Sequence, residues 1–234
     1  MKLYLASHDP DGLPSELADL VGTNRRVAVI ANANDAIDAT MRTAGVSREI
    51  SELAAIGLVA EELDLRDYFD RRRDLEGELL RFGLLWAMGG NAFLLRRAMR
   101  DSRLDVVLPD LLKRPDLVYG GYSAGAVVAG PTLHGIDLVD DPRSAPPPYR
   151  ASVVWTGLGL VPYCIAPHYR SRNYQASMIE DAVAYFVAHK MAHRTLSDGQ
   201  TIVIDGRQEW LLDLRTNEQK LLGEQPPTYP VCQR

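Results

Sequence analysis

A serine set between glycines is the sharpest chemical signal in the chain. Gly121-Tyr122-Ser123-Ala124-Gly125 follows the apolar run Leu117-Val118-Tyr119 and leads into a helical run from Ala124 to Ala129. A G-x-S-x-G in that context can form a strand-to-helix elbow, in which the serine takes a strained backbone and its hydroxyl projects beyond the sheet. The amides that follow lie at a helix start, where they can stabilise a developing oxyanion. Ser123 is therefore a candidate nucleophile, and the Ala124 N–H a candidate oxyanion donor. In the plainer reading the pentapeptide is only a turn built of small residues.

A second glycine turn, Gly89-Gly90-Asn91, ends the buried run Leu84 to Met88 at the same sheet edge. The Gly90 amide is a second candidate oxyanion donor, because glycine lets the backbone approach a reacting carbonyl closely. Asn91 either contacts substrate there or caps the next helix. Gly-Gly-Asn-Ala-Phe does not fit the G-x-G-x-x-G of a dinucleotide site. Of five histidines, His168 is the best general base: it follows the short strand Cys164-Ile165-Ala166 directly behind Pro167. His189 and His193 stand one helical turn apart without the glutamate of a zinc-binding helix, and read as helix-end residues. His134 lies in a polar loop, and His8, just after the first strand, can border a pocket. The acid that would orient His168 is open between Asp198, in Leu196-Ser197-Asp198-Gly199, and Asp137, in the loop after the nucleophile helix. Either is equally a turn residue, and spacing does not choose.

These residues need a scaffold that brings strand ends together, and the rhythm of the chain supplies one. Short apolar runs alternate with amphipathic stretches, as in β-α-β units on a mostly parallel sheet. Strands are expected at Lys2–Ala6, Arg26–Ile30, Glu62–Leu65, Leu84–Met88, Leu117–Tyr119 and Cys164–Ala166. The runs Thr201–Ile204 and Glu209–Leu212 flank Asp205-Gly206-Arg207-Gln208 as a terminal hairpin. Helices are expected at Ser15–Val21, Asp35–Ala44 (stopping at Gly45), Ser47–Ile56, Asp67–Phe82, Ala92–Arg100 and Tyr174–Lys190. His134 to Arg150 reads as a long surface loop, able to act as a lid. No repeat or linker divides residues 1–234, so a single α/β domain is expected, a mostly parallel sheet flanked by helices in three layers.

Composition narrows the partners. The 234 residues carry 26 basic and 31 acidic side chains, a net charge of -5 that argues against nucleic acid as the main partner. No stretch approaches the roughly 18 apolar residues of a membrane span, and the N-terminus turns polar at Ser7-His8-Asp9-Pro10, too soon for a secretory signal. Two cysteines, Cys164 and Cys232, make neither a disulfide framework nor a zinc cluster. A cytoplasmic protein without a metal is the expectation; the oligomeric state is left open.

Taken together, Gly89-Gly90-Asn91-Ala92-Phe93-Leu94-Leu95, Gly121-Tyr122-Ser123-Ala124-Gly125-Ala126, Ala129-Gly130-Pro131-Thr132, Pro167-His168-Tyr169 and Asp198-Gly199 resemble the peptidase E (aspartyl dipeptidase) family of serine exopeptidases. That family is related to the class I glutamine amidotransferase-like (flavodoxin-like) fold. The blocks stand in family order, with His168 45 residues after Ser123 and Asp198 30 after His168, over roughly Leu3 to Asp205. The resemblance implies a Ser123 nucleophile, a His168 base, an oxyanion hole from the Gly90 and Ala124 amides, and no cofactor. It favours Asp198 as the acid, with Asp137 the alternative. The implied substrate is a small peptide with an N-terminal aspartate. The sequence departs from the family after His168, where the recognition segment is short: Tyr169-Arg170-Ser171-Arg172-Asn173-Tyr174-Gln175. Arg170 and Arg172 are the candidates there to pair with a substrate carboxylate; otherwise they are solvated loop residues. The alternatives are a cyanophycin-cleaving relative, an esterase ordering its triad through Asp137, and a non-catalytic domain that binds a small molecule or partner. Glutamine amidotransfer itself is disfavoured, because the elbow carries a serine and that chemistry uses a thiolate.

Overall fold

In the computed structural model, residues 1–8 and 12–224 are described; Asp9-Pro10 and Cys232 lie outside them. In chain order the elements are β1 (Lys2–Ala6), α1 (Ser15–Val21), β2 (Arg26–Ile30), α2 (Ala39–Ala55), β3 (Val59–Glu62), α3 (Leu75–Leu79), β4 (Leu84–Ala87), α4 (Ala92–Asp101), α5 (Leu104–Leu111) and β5 (Val118–Tyr122). They continue with α6 (Ala124–Val127), β6 (Cys164–Ala166), α7 (Ala176–Ala188), β7 (His193–Thr195), β8 (Gln200–Asp205), β9 (Gln208–Asp213) and β10 (Glu218–Glu224). Eight strands form one sheet in the order β10-β9-β8-β1-β5-β4-β2-β3. β3, β2, β4, β5 and β1 run parallel, and β8, β9 and β10 extend the sheet antiparallel from β1.

The alternation of side chains along the parallel strands makes two cores. Leu3, Leu5, Ala28, Ile30, Leu85 and Ala87 face one side with α4, α5, α6 and α7. Tyr4, Ala6, Val27, Val29, Leu84 and Trp86 face the other with α1 and α2. Strands buried on both faces are the reason these runs read as continuously apolar. The result is the three-layer, mostly parallel α/β architecture expected from the sequence, with the carboxyl ends of β1, β2, β4 and β5 meeting at one edge. In open sheets of this kind that edge is where ligands bind.

Several elements differ from the sequence reading. The two helices expected on either side of Gly45 are one, α2, capped by the Asp38 side chain on the amides of Thr40 and Met41. An interior glycine costs a helix only about 1 kcal/mol, less than the burial of Val46 and Leu53 returns. The charged stretch expected as one helix from Asp67 to Phe82 breaks into a 3-10 segment, Leu65–Arg71, and the short α3. Asp64 and Asp74 each accept amides of the turn that follows, so two starts compete within it. β3 begins three residues earlier than expected. Gly120 and Gly121 lie inside β5 and do not end it. A side chain on Gly120 would stand 2.8 Å from the Trp86 ring, and one on Gly121 2.4 Å from the Ala87 carbonyl oxygen. α5, which accommodates Pro109, and the outer strand β10 extend beyond the expected elements.

The long segment 134–150 is not free to swing as a lid. The Arg97 guanidinium of α4, fully buried, donates to the carbonyls of Pro142, Ser144 and Ala151 at 2.6–3.2 Å. Tyr149 donates to the Asp35 carboxylate and accepts from Asn32 at 3.2 Å, tying the segment to the end of β2. None of the helices is long and apolar enough to cross a membrane among the described residues.

Candidate active site

Ser123 sits between the end of β5 and the start of α6 at φ 50°, ψ −114°. This is left-handed backbone that a serine adopts only under strain, a cost of order 1–3 kcal/mol met by the surrounding structure. Its amide donates to the carbonyls of both Ala6 and Ser7 at 3.0–3.1 Å, which clamps the elbow onto the end of β1. Gly125 allows α6 to press onto β4, since a Cβ there would stand 2.1 Å from the Ala87 carbonyl oxygen. Gly89 and Gly90 pass beside the elbow: a side chain on Gly89 would meet the Ser123 Cβ at 3.2 Å, and Gly90 takes φ +140°. Asn34 donates to the Gly89 carbonyl at 2.7 Å and fixes that turn.

His168 arrives from a different unit. β6 and β7 form a separate two-stranded parallel pair in which Ala166 faces Thr195. Because the strands are parallel and in register, the residues just beyond each end emerge side by side: His168 after β6, Asp198 after β7. The Ser123 hydroxyl lies 3.0 Å from His168 Nε2, and His168 Nδ1 lies 2.7 Å from Asp198 Oδ1. Donation runs from Ser123 to His168 and from His168 to Asp198. His168 is 4% exposed. Burial works to raise the Asp198 pKa, but the hydrogen bonds from His168 and Ser7 outweigh it and hold the carboxyl below its ordinary range.

Further side chains complete this arrangement without having stood out in the sequence. Buried Ser7, the first residue after β1, donates to Asp198 Oδ1 at 2.8 Å and accepts the His168 amide at 2.7 Å. Ser171 accepts the Asp198 amide at 2.8 Å, and Asn173 lies 3.1 Å from His168 Nδ1. The available signal for Ser7 is a small polar residue at the carboxyl end of an apolar strand, which only the fold makes meaningful. Asp140 lines a small pocket behind Ser123 and His168; it accepts the Ala92 amide at 2.8 Å, and burial pushes its pKa up to about 6.

The remaining sequence candidates are placed elsewhere. Asp137 accepts the Gly135 amide at 2.9 Å in a 3-10 turn, and the esterase ordering through it loses its acid. Asn91 is a helix cap: its oxygen accepts the Leu94 amide at 2.9 Å and its nitrogen donates to the Asp141 carbonyl at 3.0 Å, and it does not line the cleft. Arg170 and Arg172 are exposed and do not line the cleft. Positive φ at His168 and Arg170 turns the chain sharply, and the Arg170 guanidinium rests over the Tyr169 ring at 5.1 Å. His8 does border the cleft, its ring 5.9 Å from that of Tyr122. The cleft itself, about 350 Å³, opens over Ser123, His168, Gly89 and Gly90.

Residues 9–211 match the family model of peptidase family S51. The chain belongs to peptidase family S51. Among curated proteins of similar sequence, a Drosophila melanogaster protein named "Probable alpha-aspartyl dipeptidase" is 29% identical over 144 residues, 59% of this chain and 57% of its own length. An uncharacterized peptidase of Listeria monocytogenes is 25% identical, over 67% of this chain and 72% of its own. The chain thus spans little more than half the length of the fly protein it matches. Among solved structures, a Listeria monocytogenes protein classed with peptidase E superposes with TM-score 0.72 at 22% identity, covering 95% of this chain and 98% of that one. A peptidase from an acI-B1 actinobacterium gives 0.63 at 15% identity, with 95% of both chains covered. At these identities the two structures show a shared fold alone.

Proposed function

We propose that this S51 protein is a serine exopeptidase acting on short peptides through Ser123, His168 and Asp198. What carries the reading is the unbroken hydrogen-bond relay from hydroxyl to imidazole to carboxylate, at 3.0 and 2.7 Å, on a strained elbow. Ser123 Oγ attacks the scissile carbonyl carbon while its proton passes to His168 Nε2. Asp198 holds the ring in the tautomer that leaves Nε2 free to accept, and then stabilises the imidazolium. The oxyanion is stabilised by the amides of Gly90 and Ala124, which flank the nucleophile. Collapse breaks the C–N bond and His168 returns the proton to the departing amine. Water then attacks the Ser123 ester, giving a proton to His168; the ester C–O bond breaks and Ser123 recovers its hydrogen.

The test is a pair of measurements on wild type and Ser123→Ala: covalent labelling by a fluorophosphonate, and hydrolysis of a panel of dipeptides and tripeptides. Labelling of wild type alone, with peptide hydrolysis lost in the variant, is the expected result. Wild-type rates in a folded Ser123→Ala protein would overturn the assignment.

A further inference from the structure

The cleft beside Ser123 is walled on one side by apolar side chains that the fold leaves uncovered. Ile37 is 47% exposed and Met41 67%, and both line the cleft together with Met88 and Tyr122. Ile37, Met41 and Gly45 recur every four residues, so Met41 and Gly45 share one face of α2 and Ile37 stands just before its start. The Tyr122 hydroxyl donates to the buried Glu49 of the same helix at 3.3 Å, which docks that face against the elbow strand.

Gly45 is the informative member. It is not among the glycines with positive φ, so its helix does not need it, and in a helix interior it costs about 0.5–1 kcal/mol relative to alanine. A Cβ added there would meet only Met88 Cε, at 4.0 Å, an ordinary contact. What the glycine leaves is space at the cleft floor beside Met88.

The charges of the same wall are spent internally. Arg42, the only lysine or arginine among the described residues lining the cleft, sits with Nε 2.6 Å from Asp35 and Nη2 2.6 Å from Glu62. Arg66 pairs with Asp64 at 2.5 Å and lies 3.4 Å from Asp35. Two guanidiniums thus face three carboxylates behind the cleft wall, and an entering substrate carboxylate would have to compete with Asp35 and Glu62 for Arg42. A partly buried unpaired charge is costly, whereas an apolar side chain placed against Met41 and Met88 gains from leaving water.

We propose that the residue whose carbonyl Ser123 attacks is apolar, of leucine, methionine or phenylalanine size, its side chain held by Ile37, Met41, Gly45 and Met88, and that an N-terminal aspartate is disfavoured. This rests on the serine peptidase reading above and names its substrate class. The experiment compares kcat/KM for Leu-, Met-, Phe-, Ala- and Asp-first dipeptides of one common second residue, with fluorophosphonate labelling of Ser123 run on the same preparations. The expected result is a Leu- or Met-first peptide favoured over the Asp-first one by at least about tenfold, roughly the discrimination a hydrophobic pocket delivers. Met41→Arg, at an exposed position, adds an unpaired cation and shifts the Leu-to-Asp ratio toward aspartate. Gly45→Leu fills the floor and lowers the Leu-to-Ala ratio at least tenfold. Labelled enzyme that prefers Asp-first peptides, or cleaves none, overturns the apolar pocket while leaving the serine hydrolase intact. Enzyme that neither labels nor cleaves overturns both.

Discussion

At the scale of single residues, three carboxyl groups that the sequence or the fold brings into question do different work. Asp198 bonds the imidazole, Asp137 a turn amide, and Asp140 the first amide of α4. Asp198→Asn keeps the shape and favours the wrong histidine tautomer; in other triads such a change costs on the order of 10⁴ in kcat, and a comparable loss is expected here. Asp137→Asn, which retains an acceptor oxygen for Gly135, is expected to stay within a few-fold of wild type. Equal, mild losses in both would show that neither orients His168. Ser7→Ala removes a hydrogen bond to Asp198 and strands the buried His168 amide, at a cost of about 1–3 kcal/mol in stability. It also frees the carboxylate to turn, so kcat is expected to fall about tenfold with KM unchanged. A variant that lost stability and kept full kcat would reduce Ser7 to a structural role.

At the scale of elements, α2 shows how an economical sequence rule misleads. Gly45 and Ser47 read locally as a stop and a new cap, yet the helix runs through them because Val46, Glu49 and Leu53 are buried against the sheet. Gly45→Ala is accordingly expected to raise stability by about 0.5–1 kcal/mol, or about 1–4 °C in Tm, seen by thermal unfolding. A drop in Tm would mean that the space beside Met88 is already needed for packing. The elbow was legible for the opposite reason: Gly121, Ser123 and Gly125 act on each other and on the adjoining strand end, all within a pentapeptide. His168 was visible because it follows the short apolar run Cys164–Ala166, and the Asp198 alternative because it stands in a turn just before the run Thr201–Ile204. Ser7, and the choice between Asp198 and Asp137, were not, since both depend on how β6 and β7 pair and where that pair docks. Arg170 and Arg172 looked like substrate contacts because sequence spacing carries no information on a reversal such as the one at His168 and Arg170.

At the scale of the whole molecule, the carboxyl groups set an acid limit. Asp213 falls to about 2 beside Arg215, and Asp116 is lowered by Arg114. In Asp64 and Asp198 burial would raise the pKa, but Arg66 and His168 outweigh it. Depressed carboxyl groups stabilise the fold fully above the unfolded value of about 4 and lose that contribution as pH falls toward 2. Burial raises Glu49 and takes Asp140 to about 6, with the opposite sign: the cost of Asp140 grows as pH rises from about 4 to about 6, and Glu49 adds a cost of the same sign above the ordinary carboxyl range. The urea midpoint is therefore expected to climb from pH 2 to 4, then to stop climbing or decline toward pH 6. Asp140→Asn should remove part of that decline, by up to about 3 kcal/mol from a shift of about two pKa units. A wild-type midpoint that rises steadily through pH 6 would contradict this balance. The relay also has a consequence in time. Ser7 bonds His168 across 161 positions and Asp198 across 191, so the site closes only when both ends of the chain have met. Contacts of such separation are slow to form, whereas the crossovers from β2 to β5 are local. In stopped-flow refolding, fluorophosphonate capture of Ser123 is expected to lag the return of helical circular dichroism; simultaneous recovery would refute it. On the serine peptidase reading proposed above, a chain still emerging from the ribosome would hold Ser123 without its relay until Asp198 has left the tunnel.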